Sequence, residues 1–71
     1  MPDEVNDAFV HDTARGYTAK LGLHAETFRE RDDAYAWLRE QAGPDYNPCY
    51  WFVNERGTVD QTDDHGNFVE P

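Results

Sequence analysis

The chain has 71 residues, one cysteine, and fifteen Asp and Glu against six Lys and Arg, which gives a net charge of −9 and a pI near 4.4. That length allows one domain, the lone Cys49 excludes an intrachain disulfide, and the charge repels nucleic acid and anionic membrane surfaces. No basic segment followed by an apolar run marks a signal peptide, and no apolar stretch approaches the roughly 18 residues of a membrane span. The expectation is a soluble, cytoplasmic protein.

The charge is uneven along the chain. Residues 1–14 hold four acids and no Lys or Arg, residues 15–45 hold six acids and five bases, and residues 46–71 hold five acids and Arg56. Five arginines stand against one lysine, and isoleucine is absent. High acid with little Lys suits a protein working in concentrated salt, where solvated carboxylates keep a surface soluble and their repulsion is screened.

Residues 2–15 have two readings. As a helix, Pro2, Asp3 and Glu4 suit the first turn, Val5, Ala8 and Phe9 form one apolar face, and Gly16 stops it. As a strand, Ala8–His11 pairs with the next segment of chain across a turn at Asp12–Gly16. The weak helix formers Asn6, Asp7, Asp12 and Thr13 tilt the balance towards a strand or irregular start. Residues 17–25 alternate, with Tyr17, Ala19, Leu21, Leu23 and Ala25 on one side, and this predicts one half-buried strand.

Residues 32–42 carry the clearest helix pattern. Asp32 is the expected N-cap, and Asp33 favours the positive end of the dipole. Ala34, Leu38 and Gln41/Ala42 line one face, flanked by Tyr35 and Trp37. Gly43 is the expected C-terminal stop, and Pro44 prevents continuation. Residues 43–48 read as loop.

Residues 49–53 and 58–62 predict a β-hairpin. Asn54-Glu55-Arg56-Gly57 suits a type I turn with Gly57 in the left-handed region. That turn sets Val53 opposite Val59, Phe52 opposite Asp60 and Trp51 opposite Gln61. Cys49, Trp51, Val53 and Val59 then share one face, read as the core side beneath the helix. Tyr50, Phe52, Thr58, Asp60 and Thr62 share the other, read as outward, where Tyr50 and Phe52 are either covered by residues 1–14 with Val5, Phe9 and Val10 or left as an aromatic patch for a partner. Asp63-Asp64-His65-Gly66 is a second turn, and residues 67–69 are the candidate for a further edge strand. The expected architecture is α+β: a small antiparallel sheet of strands near 17–25, 49–53 and 58–62 packed on one helix near 32–42.

Catalytic chemistry finds little support. There is no serine, the five glycines are isolated rather than gathered in a phosphate loop, and Cys49 reads as a core residue. His11, His24, His65, Cys49 and Asp60/Asp63/Asp64 lack helical zinc spacing, and a calcium loop counted from Asp60 has His65 where Gly belongs and Pro71 where Glu belongs. No cofactor and no metal are assigned, although His65, Asp63 and Asp64 keep a metal-binding domain as a minor alternative.

The leading expectation is a non-enzymatic protein-binding module that engages a basic protein surface through Tyr50, Phe52, Glu55, Asp60, Asp63 and Asp64, without contacting nucleic acid or membrane itself. Its sharpest form is an inhibitor, of virus or mobile-element type, in which carboxylates imitate the phosphates bound by a nucleic-acid-handling protein. The alternative is a salt-adapted domain of structural role. Homo-oligomerisation is compatible with either.

Overall fold

The computed structural model describes residues 7–43 and 48–69. Its elements run β1 (Ala8–Thr13), β2 (Gly16–Leu21), β3 (His24–Phe28), α1 (Arg31–Ala42), β4 (Tyr50–Val53) and β5 (Val59–Thr62). The strands form one sheet in the order β3-β2-β1-β4-β5, antiparallel throughout except for the central β1–β4 pair. Helix α1 packs on one face, so the fold is α+β as expected. No helix among the described residues is long and apolar enough to cross a membrane.

The N-terminal ambiguity resolves to a strand over Ala8–Thr13; the alternative helix start at residues 2–5 and the loop at residues 44–47 lie outside the described residues. The single strand expected over 17–25 is instead two strands. Leu21 pairs with His24, which leaves Gly22-Leu23 as a two-residue hairpin loop. Gly22 has φ 62 at its first central position, where such loops require glycine. Leu23, counted as an inward residue by alternation, is fully exposed at the loop tip, and Ala25 lies on the opposite face from Ala19.

Helix α1 begins one residue before the expected start. Its N-cap is Glu30, not Asp32, and no side chain caps it. Asp32 and Asp33 fall in the first turn, where the helix dipole favours them. At the other end, Gly43 has φ 81 and donates its N–H to the Arg39 carbonyl. Ala34, Tyr35 and Leu38 are buried, whereas Gln41 is exposed.

The β4–β5 hairpin has the register its turn implies: Val53 opposite Val59, Phe52 opposite Asp60, Trp51 opposite Gln61. Asn54 Oδ1 accepts the backbone N–H of Arg56 and of Thr58 at 2.9 and 3.0 Å. The turn at 63–67 repeats this geometry. Asp63 Oδ1 accepts from the N–H of His65 and of Asn67 at 2.8 and 2.9 Å. Beyond it, Phe68 forms a single antiparallel bridge to Thr62 and Val69 donates to the Gln61 carbonyl, so the candidate short edge strand at 67–69 is reduced to one bridge.

The core comprises Ala8, Val10, Ala19, Leu21, Ala34, Tyr35, Leu38 and Tyr50. Its strand members share one face by register: Val10 lies opposite both Ala19 and Phe52, and Ala8 opposite both Leu21 and Tyr50. This inverts the expected orientation of β4. Tyr50 and Phe52 point towards α1, and Trp51, Val53 and Val59 point away. Cys49, expected in the core, is exposed.

Candidate interaction surfaces

The two faces of the sheet differ in chemistry. On the helix side, Tyr50 is 5% exposed, with its ring 6.1 Å from that of Tyr35. Phe52 is half-buried between the rings of Tyr17 and Phe68, at 6.3 and 6.1 Å. The Arg31 guanidinium stands 5.7 Å from the Phe52 centroid and 6.0 Å from that of Phe68. A cation at a helix N-terminus opposes the dipole, and stacking on two rings offsets that cost. The expected outward patch of Tyr50 and Phe52 is therefore absent, because α1, Arg31 and Phe68 cover it.

Strand register also sorts the acids. Asp12, Glu26 and Asp60, the three carboxylates carried on strands, all lie on the helix side: Asp12 opposite Tyr17, Glu26 opposite Ala19, and Asp60 opposite Phe52. Asp32, Asp33 and Glu40 add exposed carboxylates along α1. The cations of the helix are engaged elsewhere, Arg31 by the two phenyl rings and Arg39 by the Asp64 carbonyl at 2.6 Å. Among the described residues the only acid–base contact within 4 Å sets His65 3.7 Å from Asp64, an ion pair when the imidazole is protonated, and no carboxylate is bridged to Arg or Lys.

Asp60 and Glu55 are exposed, on β5 and in its leading turn. Asp63 is committed to its own turn: its two oxygens take both backbone N–H groups and the Asn67 side-chain amide, and these donors hold its pKa below the ordinary value. An oxygen pair so occupied is a poor metal ligand. No cluster of three or more His, Cys, Asp or Glu suited to a metal occurs among the described residues.

No described helix or strand packs over the opposite face. By register it carries Phe9, His11, Thr18, Lys20, Trp51, Val53, Val59 and Gln61, and no strand carboxylate. An open concavity of about 590 Å³ lies there, lined by Phe9, His11, Lys20, Val53 and Val59, with Asp7 at its edge. The rings of Phe9 and His11 are 6.1 Å apart. Burial lowers the His11 pKa, and the Lys20 ammonium lowers it further. The Trp51 indole Nε1 is shielded from solvent and has no acceptor among the described residues. The β4 sequence Tyr-Trp-Phe-Val is apolar on both sides, so its composition alone does not orient it; Ala8 and Val10 pairing beside it does.

Comparison with protein-family models, with curated proteins and with solved structures finds no match.

Proposed function

We propose that the protein is a small, non-enzymatic, cytoplasmic binding module that presents helix-side carboxylates to a basic surface on a partner protein. One observation supports this above the others: the described carboxylates are unbridged by Arg or Lys, while Arg31 and Arg39 are occupied within the fold. A partner's Arg and Lys side chains therefore meet acids that need not first give up an internal Arg or Lys; of these acids only Asp64 has a basic neighbour, His65 at 3.7 Å. The contact set is Asp32, Asp33, Glu40, Asp60 and Asp64, with Glu55 at the hairpin tip; Tyr50 and Phe52 support the surface from beneath. A nucleic-acid-handling protein offers the matching basic groove, and the module then acts as an inhibitor by occupying it.

The test is retention of binding proteins from a lysate on the immobilised protein, at low and at high salt, followed by competition with duplex DNA. Basic proteins held at low salt, released by salt and displaced by DNA are the expected result. No retention, or retention indifferent to salt, removes the electrostatic reading.

The same unbridged carboxylates, together with one lysine among six cations, favour a second reading as a salt-adapted domain. That reading requires a melting temperature that climbs steeply into molar salt as carboxylate repulsion is screened. A melting temperature flat across the range removes it.

A further inference from the structure

We infer that the open face of the sheet is a self-association surface, covered by the same face of a second copy of this chain. Phe9, Trp51, Val53 and Val59 form an apolar strip across β1, β4 and β5 on this side, and no described element packs over it. Val59 is 50% exposed. Phe9, Trp51 and Val53 beside it are half-buried, and an apolar strip that no described element covers is the kind of surface an interface uses.

Charge selects the occupant. Two chains of charge −9 repel at any approach that sets unbridged carboxylates against each other. This face is the one side of the sheet whose strands carry no acid, and the charged groups described as lining its concavity are Lys20, the titratable His11 and Asp7. Lys20 and Asp7 are of opposite sign on one patch, so a two-fold axis that sets Lys20 of one copy beside Asp7 of the other would make an isologous contact complementary. A basic partner would meet Lys20 and His11 here and is better served by the opposite side. Nucleic acid is repelled by the chain as a whole.

Area sets the strength. Five strands at about 4.8 Å spacing and about 3.3 Å per residue project on the order of 400 Å² per chain, of which the apolar strip on three strands is roughly three-fifths. This is at the small end for protein interfaces and implies a weak dimer, dissociating in the micromolar range or above. Such a dimer would leave both acidic helix sides facing outwards in opposite directions.

The experiment is sedimentation velocity on the full chain from about 10 µM to about 1 mM, spanning the range expected of weak interfaces, at low and at high salt. Backbone amide shifts recorded over the same concentrations locate the contact. The expected result is a monomer–dimer equilibrium that salt strengthens, because screening reduces repulsion between the two acidic bodies. The shifts should move at Phe9, His11, Trp51 and Val53 and stay still along α1. Val59→Asp, on a half-exposed edge position that tolerates the change, should weaken the dimer at least about tenfold by setting carboxylates into the interface. Its fold is checked by circular dichroism. Asp32→Asn with Asp33→Asn, on the other side, should leave the dimer unchanged or slightly tighter. A monomer at every concentration and salt, shifts confined to α1 or to the β3 edge, or a dimer indifferent to Val59→Asp would overturn the inference. Partner binding through the acidic side weakens with salt whereas this association strengthens, so failure of one leaves the other legible.

Discussion

The hydroxyl of Tyr35, on α1, lies 3.0 Å from the hydroxyl of Thr62, the last residue of β5, and both residues are buried. The Thr62 hydroxyl also reaches the Asp63 carbonyl at 3.1 Å, an oxygen that can only accept. Its single proton is committed there, so Tyr35 is the donor. This bond ties the helix to the far edge of the sheet, beyond the strands on which the helix axis sits. Tyr35→Phe leaves the Thr62 proton placed and should cost about 1 kcal/mol. Thr62→Val strands the buried phenol and should cost more, about 1–3 kcal/mol. Urea unfolding of both variants checks the order.

The turns at 54–58 and 63–67 share geometry but differ in surroundings. Gly57 has φ 89 and open space around it, whereas a Cβ on Gly66, at φ 90, would lie 2.8 Å from Tyr35 Cε2. Gly57→Ala should cost only the left-handed backbone penalty, about 1–2 kcal/mol. Gly66→Ala should cost more, because the Tyr35 ring must move and its bond to Thr62 goes with it. Equal losses in thermal unfolding would show that the ring yields freely.

Asp63 accepts three N–H donors, and its carboxyl pKa is held below the ordinary 3.8 by the Asn67 and His65 backbone first. A depressed carboxyl contributes stability that is complete above the unfolded value and fades as pH falls through the folded one. Asp63→Asn, which copies the Asn54 turn, should flatten that acid limb. An Asp63 carbon resonance titrating at or above 3.8 would contradict the geometry.

His11 should titrate below 6.5, with burial the larger cause and Lys20 the smaller. Its depressed folded value favours the neutral imidazole, so its contribution to stability is present above 6.5 and declines as pH falls through the folded value. Lys20→Gln should raise the midpoint part of the way. Proton resonances of the imidazole ring read both.

Cys49 is exposed just before β4, with its carbonyl accepting the Ala8 N–H. A disulfide-exchange reagent should therefore modify the thiol fully in the folded protein. Modification that waits for denaturant would place the thiol inside.

Local chemistry made part of this fold legible. The Asn54–Gly57 turn fixes the hairpin register, and Gly43 fixes the helix end, because each depends on residues a few positions apart. The orientation of β4 depends on Ala8 and Val10, which pair with Tyr50 and Phe52 from the other end of the chain. No turn encodes that pairing. The alternation over 17–25 misled for a different reason: a two-residue hairpin interrupts the strand without interrupting the apolar pattern. Of the acidic surface, Asp60 and Glu55 are exposed as their sequence context suggests, while Asp63 proved to serve its own turn.

The parallel pairing of β1 with β4 has a consequence for how the chain is made. β1 is a central strand, yet one of its two neighbours follows β2, β3 and all of α1 in synthesis. Until β4 emerges, the growing chain exposes the bare edge of β1 beside an unfinished core. Closing that gap brings together residues about forty positions apart, a non-local step that slows folding. The nascent protein therefore passes through a stage at which a β1 edge can capture a strand from another copy, and yield in expression should improve with a lower expression level or lower temperature.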